Sequence, residues 1–494
     1  MKIIQFFLPR IEYILFAAIF WGIASTGPIL LNSDGDLPRH LLVGKLIRET
    51  HTVHLTDIFS FRTVGFASIP HEWLSQVILS VFYDLMGLGG VVFLTAVIVT
   101  IVWALLYYDA LRRSDSLISA LVFIGLGVGA SLIHVLPRPH LFSYIFTVAW
   151  ILVLEQIQKD KPTKWWILPL LMLVWVNMHG MFVLGIVIWI IYLVGDLFEN
   201  LSLSWLTSSR TKSMLAGGAL SILATFLSPT GIGIWAAIAS LGGNAYIKAR
   251  IPEYQSANFQ IPETWPFILI LLLALASFSR STNKTPWRHV FLVTAFAGVA
   301  LYSSRMLPFF AIVAVPIVAQ AFSSWLKEDF PKNRIWTIET NLNTTNQTSN
   351  GLIWVFVVII AVALFFNLNV PIDVTGKGNA FSPQFFPVAA VTWLESNPQS
   401  GHVFNEFDWG GYMLLNLWPQ YQIFMDGHTH IYGEKLTREY EQVITLSDNW
   451  EAILDKYQVT WAIVRAQSPV VRTLENEGWK NLYQDETTII ISKP

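Results

Sequence analysis

The chain contains no cysteine among its 494 residues, and only 13% of them are charged. The missing thiols exclude disulfides, thiolate catalysis and Cys-ligated zinc or iron–sulfur centres. A net charge of −2 excludes a globally basic nucleic-acid binder, so no nucleic-acid partner is expected. The sequence also has no internal repeat and no glycine-rich phosphate-binding loop.

What the chain has instead is long apolar segments. Hydrophobic residues make up 54% of it, and its charged fraction is about half that of a soluble domain. We therefore predict a polytopic, mainly α-helical membrane protein with about eleven spans. The predicted spans cover residues 11–31, 87–107, 116–135, 141–158, 166–178, 181–198, 214–234, 266–279, 289–302, 308–325 and 352–370. The first run has spanning length and lacks a small-residue cleavage site, which favours a span over a signal peptide.

Lysine and arginine are concentrated in every second segment that joins the spans. By the positive-inside rule, these segments and the N-terminus are predicted to be cytoplasmic. The long first loop, residues 32–86, then lies outside. The chain divides into a transmembrane domain, residues 1–370, and an extracytoplasmic domain, residues 371–494. The connection 326–351 is polar and predicted to be a loose inside loop.

Residues 371–494 alternate between strand-like and helix-like segments, which predicts a small α/β domain. The predicted strands are 402–405, 422–425, 460–464 and 487–492, and the predicted helices are 387–396, 409–417, 435–444, 450–457 and 469–477.

The first outside loop begins with an acidic segment that carries Asp34 and Asp36. Carboxylates at the edge of a bilayer are costly unless they have a function. One of them could take a proton from a hydroxyl, and the pair could hold a divalent cation such as Mg²⁺ or Mn²⁺. Alternatively, Asp36 merely caps a helix that Pro38 helps to start, and Asp34 is solvated.

Two amphipathic helices are predicted in the same loop. The first follows Asp36 and carries its leucines on one face, as an interfacial helix does. The second covers residues 71–85 and leads into the second span. Its first turn contains Glu72, which could bind a sugar or simply favour the positive end of the helix dipole.

Other polar residues cluster at the ends of spans that are predicted to face outside. The candidates for substrate contacts are Arg39, His40, His71, Glu72, Arg138, His140, Asn177, His179 and Arg305. A guanidinium such as that of Arg138 suits a phosphate, although it could also extend to lipid headgroups. Asn177 and His179 lie in an apolar stretch, where polar groups are functional or bridge helices.

Short motifs follow one another in a specific order over most of the chain. They are Asp34-x-Asp36-x3-His40-x3-Gly44, Thr56-Asp-Ile-Phe-Ser-Phe61, His71-Glu-Trp-Leu74, Arg138-Pro-His-Leu-Phe142, Trp175-Val-Asn-Met-His-Gly180, Leu227-Ser-Pro-Thr-Gly231, Arg305-Met-Leu-Pro-Phe-Phe310, and Trp409-Gly-Gly-Tyr412 with Asp426-Gly427. Together they resemble bacterial members of the C-type glycosyltransferase superfamily, the GT-C fold. That superfamily includes protein O-mannosyltransferases, lipid A aminoarabinose transferases and oligosaccharyltransferases.

The resemblance implies an enzyme of the bacterial inner membrane that uses a polyprenyl-phosphate sugar donor. It implies an inverting single displacement onto a lipid, glycan or protein acceptor at the outer face. Asp34 or Asp36 would be the catalytic base, and Arg138 and Arg305 would hold the donor phosphate. This expectation rests on the acidic segment and on the order of the motifs along the chain.

Two positions depart from the family pattern. The segment His71-Glu72-Trp73 differs from the His-Pro-Pro string of the mannosyltransferase branch, which weakens any assignment to mannose. His428 follows the tail Asp-Gly, where relatives often have arginine. Two alternative functions remain. The protein could be a secondary transporter with its site on broken helices, or a non-catalytic membrane scaffold.

Overall fold

The computed structural model describes residues 7–159, 164–202, 204–280, 284–349, 351, 353, 354, 356–358, 360, 361 and 378–494. Most of the predicted span 352–370, and the predicted domain boundary after residue 370, lie outside the described residues.

Helices dominate the part of the chain before residue 350. They are α1 Ile11–Ser25, α2 Gly27–Leu31, α3 Leu37–Thr50, α4 Trp73–Ser114, α5 Leu117–Ser131, α6 His140–Gln158, α7 Ile167–Met178, α8 Val183–Glu199, α9 Ser204–Thr207, α10 Ser209–Ala224, α11 Gly233–Gly243, α12 Ala245–Lys248, α13 Trp265–Arg280, α14 Trp287–Tyr302, α15 Leu307–Asp329 and α16 Arg334–Thr348.

Six stretches of described helix are long and apolar enough to cross a membrane. They are Trp73–Ser114, Leu117–His134, His140–Gln158, Gly180–Glu199, Pro262–Arg280 and Ser304–Asp329, and α1, α7 and α14 are shorter apolar helices. The prediction of a mainly helical membrane protein is confirmed.

Helix α15 is the centre of the bundle. It packs against α4, α5, α13 and α14, and most of its residues are buried. Gly127 on α5 lets the Trp103 ring of α4 and Val315 of α15 come close, because a Cβ at that position would overlap the ring. Small residues allow such close approach between helices in a membrane.

Helix α4 joins the second predicted amphipathic helix to the second predicted span. The two parts meet at a kink, where Met86 and Gly87 leave helical geometry and Gly87 has φ +60°. Glycine adopts this left-handed conformation without a steric penalty. The predicted boundary between residues 85 and 87 therefore coincides with the kink.

Helix α3 is not the interfacial helix that its leucines predicted. It lies between α4 and the C-terminal domain, and its first half, including Arg39 and His40, is buried. Gly44 packs directly on the backbone of Gln76, where a Cβ would overlap the carbonyl oxygen. The pattern was misleading because α3 has two covered faces, one of them against the C-terminal domain.

Two further predictions within the membrane body were wrong. The predicted span 214–234 breaks after Ala224, passes through a turn in which Gly231 has φ +54°, and continues as a separate helix, α11. The predicted loose loop 326–351 contains helix α16, in which Glu339 accepts a hydrogen bond from the Leu117 backbone N–H (2.5 Å). That contact anchors a segment whose Asn- and Thr-rich composition predicted no helix.

Residues 378–494 form the predicted small α/β domain. Its helices are α17 Val388–Ser396, α18 Gly410–Leu417, α19 Thr429–Ile444, α20 Trp450–Lys456 and α21 Pro469–Asn476. Its strands are β1 His402–Asn405, β2 Val459–Arg465, β3 Lys480–Gln484 and β4 Thr488–Ser492, in the order β1-β2-β4-β3. Strands β1 and β2 are parallel, and the other pairs are antiparallel.

One strand prediction in this domain was wrong, and one strand was missed. Residues 422–425 do not join the sheet, because Ile423 forms a bridge to Ser60 of the first loop instead. Strand β3 was missed because it is a largely exposed edge strand without an apolar alternation. The bridge at Ser60 ties the first loop to the α/β domain.

Candidate active site

The acidic segment forms a tight turn between α2 and α3. The backbone N–H of Asp36 donates to Asp34 Oδ1 at 2.7 Å. This side-chain-to-backbone bond is an Asx turn, which aspartate favours at the start of a helix. The bond fixes the Asp34 carboxylate. The carboxylate oxygens of Asp36 take no part in this bond.

Arg138 binds both carboxylates. Its Nε lies 2.9 Å from Asp34 Oδ2, and its Nη1 lies 3.1 Å from Asp36 Oδ2. The turn before α6, in which Pro137 and Pro139 flank this arginine, presents the guanidinium to the acidic segment. The sequence predicted each of these three residues as a site residue, and the structure brings them together.

The two carboxyl groups differ in their proton affinity. Burial, the largest influence, favours the protonated form of each. For Asp34 the bonds to Arg138 outweigh burial, so its pKa lies below its usual range. For Asp36 burial prevails over Arg138, and with repulsion from Asp34 it raises the pKa to about 6. Near neutral pH, Asp34 is therefore firmly ionised while Asp36 can gain or lose a proton.

Glu253 extends the site to a second arginine. Its Oε2 lies 3.8 Å from Arg138 Nη1, and its Oε1 lies 3.2 Å from Arg305 Nη1. Arg305 Nη1 also donates to the Tyr254 hydroxyl at 2.9 Å. From the sequence alone, Glu253 is a weaker candidate, since its only signal is a carboxylate on a long outside loop.

Glu72 is the centre of a neighbouring group of histidines. Its carboxylate oxygens lie 3.4 Å from His179 Nε2, 3.6 Å from His71 Nε2 and 3.9 Å from His40 Nδ1. These imidazoles lower the pKa of Glu72 in spite of its burial, so the carboxylate stays ionised at neutral pH. Four of the predicted site residues therefore meet at one place.

Three of the predicted site residues bind other parts of the protein. Asn177 Oδ1 accepts a hydrogen bond from Trp73 Nε1 at 2.7 Å, which joins α7 to α4. His179 Nδ1 lies 3.0 Å from Ser143 Oγ, and His140 Nε2 lies 3.0 Å from the His134 carbonyl oxygen. Bridging of helices, the alternative considered for Asn177 and His179, is what these contacts show.

Arg39 binds the C-terminal domain. It forms an ion pair with Asp426, donates from Nη2 to His428 Nδ1 at 2.8 Å, and lies 3.6 Å from Asp57. All the charged members of this group are buried. A cleft opens beside it, lined by Arg39, His71, Glu72 and His428 among others.

The residues present offer little to a divalent cation. Within the described ranges, no group of three or more His, Cys, Asp or Glu side chains is placed to hold a metal ion. The charges of Asp34 and Asp36 are balanced by the Arg138 guanidinium, which lies against both. The Mg²⁺ or Mn²⁺ considered for this pair stays a prediction.

Comparison with known proteins identifies the fold. No protein-family model matches the sequence, and neither does any curated protein. Among solved structures, the chain is similar to the crystal structure of ArnT from Cupriavidus metallidurans bound to undecaprenyl phosphate, with a TM-score of 0.53 and 13% identity. The match covers 97% of this chain and 97% of ArnT. It confirms the predicted resemblance to the GT-C fold.

Proposed function

We propose that the protein is an integral membrane glycosyltransferase of the GT-C type. It transfers a sugar from a polyprenyl-phosphate donor to a lipid, glycan or protein acceptor. The observation that carries the proposal is the Asp36 carboxylate, held beside the Asp34–Arg138 ion pair at the end of the helix bundle. The likeness in fold to ArnT, whose crystal structure contains undecaprenyl phosphate, supports a polyprenyl-phosphate lipid as the donor's carrier.

Asp36 is the better candidate for the base. Both oxygens of Asp34 already have donors, the Asp36 N–H and the Arg138 Nε, and only 10% of its side chain is exposed. The Asp36 side chain is 30% exposed, and its raised pKa lies near a working pH. A general base is most effective when its pKa is close to the pH of the reaction. Asp34 then holds Arg138 and the turn in place.

The reaction is a single displacement at the anomeric carbon. Asp36 takes the proton of the acceptor hydroxyl as its oxygen forms a bond to that carbon. The bond between the anomeric carbon and the phosphate oxygen breaks, and its electron pair leaves with the polyprenyl phosphate. Attack opposite the leaving group inverts the configuration at the sugar.

The donor phosphate would lie between the two arginines. Arg305 Nε is buried and has no hydrogen-bond partner among the described residues. The positive charge of Arg138 would also attract the phosphate, although its Nε and Nη1 already lie against carboxylates. A buried guanidinium that binds a phosphate oxygen stabilises the negative charge that develops on the leaving group.

The sugar would lie on the side of Glu72. A buried, ionised carboxylate surrounded by imidazoles offers both acceptors and donors to sugar hydroxyls. His40 and His71 line this group together with Glu72. Through the contacts described above, His140, Asn177 and His179 would hold the walls of the same region.

The site is expected at the outer face of the bacterial inner membrane. The positive charges of alternate connections support a cytoplasmic N-terminus and a C-terminal domain outside. A polyprenyl-phosphate donor and the surrounding membrane lipids are then the partners at this surface.

A transfer assay in lipid vesicles tests the proposal. Purified protein is given a panel of radiolabelled polyprenyl-phosphate sugars with a membrane extract as acceptor. Covalent transfer from one donor, with release of polyprenyl phosphate, is the expected result. Label that enters the vesicle lumen without a covalent product would favour a transporter. If folded protein gives neither a covalent product nor label in the lumen with any donor, the result would contradict the proposal and favour a scaffold.

A further inference from the structure

The C-terminal domain touches the acidic segment through glycines. A Cβ at Gly35 would overlap the backbone carbonyl of Asp408, and a Cβ at Gly411 would lie 2.6 Å from the Gly35 carbonyl oxygen. A Cβ at Gly427 would overlap Asp36 Oδ1. Glycine at such positions permits a close approach that any side chain would prevent. The domain therefore lies directly on the turn that holds the proposed base.

The segment that touches Asp36 is held rigidly from within the α/β domain. Asn405, fully buried at the end of β1, accepts from the Phe424 N–H at 2.8 Å and donates to the Met425 carbonyl at 2.8 Å. These bonds fix the two residues that precede Asp426. A buried side-chain amide with both ends bonded is a rigid support, because an unpaired buried polar group is costly.

The same segment is held from the side of the membrane body. Asp426 forms its buried ion pair with Arg39, which lies three residues after Asp36 in the chain. Asp426 Oδ1 also accepts a hydrogen bond from the His428 N–H at 3.1 Å. The turn 426–428 is thus fixed by Asn405 on one side and by Arg39 on the other. Gly427, in the middle of this turn, is the residue that lies against Asp36.

We propose that Asp426 and Gly427 are positioning residues of the transfer reaction. The C-terminal domain fixes the place of the Asp36 carboxylate, and it supplies a negative charge beside that carboxylate. The glycine leaves room for the carboxylate in its place beside Arg138. The inference rests on the proposed function, because it takes Asp36 as the base.

The charges around Asp36 support this role. After burial, which is the largest influence, Arg138 lowers the pKa of Asp36, whereas the carboxylates of Asp34, Asp426 and Glu253 raise it. Replacement of Asp426 by asparagine removes one of the groups that raise the pKa.

The experiment compares two variants with a control in the full-length protein. Gly427→Ala places a methyl group against Asp36, and the flexible carboxylate end moves without a backbone shift. Gly298→Ala is the matched control, because no atom of the described residues lies within 4 Å of a Cβ there. We expect Gly427→Ala to lower kcat about 10- to 100-fold at unchanged donor KM, since small misplacements of a reacting group have such effects. Its thermal unfolding midpoint should stay near that of Gly298→Ala.

Asp426→Asn tests the role of the charge. We expect the acidic limb of kcat to move to lower pH by about half a unit or more, as loss of a nearby negative charge implies. The infrared band of the protonated Asp36 carboxyl, identified by its loss in Asp36→Asn, should also titrate at a pH that is lower by the same amount. A purely structural role would reduce the active fraction and move neither the limb nor the band.

The outcomes separate this inference from the proposed function. One set of results would overturn the inference and leave the proposed function standing. The wild type would transfer sugar, the acidic limb of the kcat profile and the infrared band would not move in Asp426→Asn, and kcat would be unchanged in Gly427→Ala. A shifted infrared band in a protein that transfers no sugar would support the positioning of Asp36 and contradict the glycosyltransferase activity.

Discussion

Arg138 Nε lies 2.9 Å from Asp34 Oδ2, so a guanidinium from the turn before α6 is fixed by a carboxylate 104 positions earlier in the chain. The next nitrogen of the same guanidinium lies 3.1 Å from Asp36. One aspartate thereby orients the arginine, and the arginine orients the other aspartate. This order of dependence assigns different roles to two carboxylates that look alike in the sequence.

The first prediction concerns pH and Asp34. Because Asp36 must be ionised to accept a proton, wild-type transfer should rise with pH through about 6. In Asp34→Asn one of the negative charges that raise the Asp36 pKa is lost, so the rise should occur at lower pH. The measurement is kcat of sugar transfer between pH 4.5 and 8. An acidic limb in the same place for both proteins would show that Asp34 does not act on the base.

The second prediction concerns Arg305 and the donor phosphate. Arg305→Gln should weaken binding of undecaprenyl phosphate about tenfold or more, as loss of one charge-assisted contact implies. Isothermal titration in nanodiscs measures this affinity. The control is Arg250→Gln, a more exposed arginine that stacks on Tyr246 and pairs with Glu441. Equal affinities for the two variants would exclude Arg305 from the phosphate site.

The third prediction concerns packing of the helix bundle. Gly127→Ala should destabilise the protein by about 1–3 kcal/mol, because overpacking a tight contact forces side chains out of place. At Gly125, two residues earlier on α5, a Cβ would meet no atom within 4 Å in the part of the chain that the structure describes. Gly125→Ala should therefore leave stability nearly unchanged. Unfolding midpoints in one detergent give the comparison. Equal midpoints would mean that α4 and α5 have room to separate.

The fourth prediction concerns orientation in the membrane. The absence of cysteine allows single cysteines to be introduced without background labelling. Asn476→Cys in the C-terminal domain should react with a membrane-impermeant maleimide in intact spheroplasts. Thr207→Cys, between α8 and α10, should react only after the membrane is permeabilised. The reverse pattern would invert the proposed topology.

Features that depend on neighbouring residues could be predicted from the sequence. The apolar runs gave most of the spans, and the predicted boundary between residues 85 and 87 coincides with the kink of α4. The acidic segment and Arg138 stood out because charge is costly at a bilayer edge. In each case the physical signal is contained within a few positions of the chain.

The remaining features depend on contacts between distant segments. Arg39 and Asp426 are 387 positions apart, and nothing near either residue shows that they pair. The same holds for Glu253 between the two arginines, and for residues 422–425, which bridge to the first loop at Ser60. Helix α3 was misplaced for this reason, since its second covered face lies against a domain over 300 positions away.

The most direct test of the central claim is the transfer rate of Asp36→Asn. Single-turnover transfer from a radiolabelled polyprenyl-phosphate sugar is measured at pH 7.5 for the wild type, Asp36→Asn and Asp34→Asn, each checked for folding and for undecaprenyl phosphate binding. Asp36→Asn should bind the lipid normally and lose about 10²–10⁴-fold in rate, as removal of a general base does. Asp34→Asn should keep a larger part of the activity. A rate for Asp36→Asn within a fewfold of the wild type would contradict the assignment of Asp36 as the base.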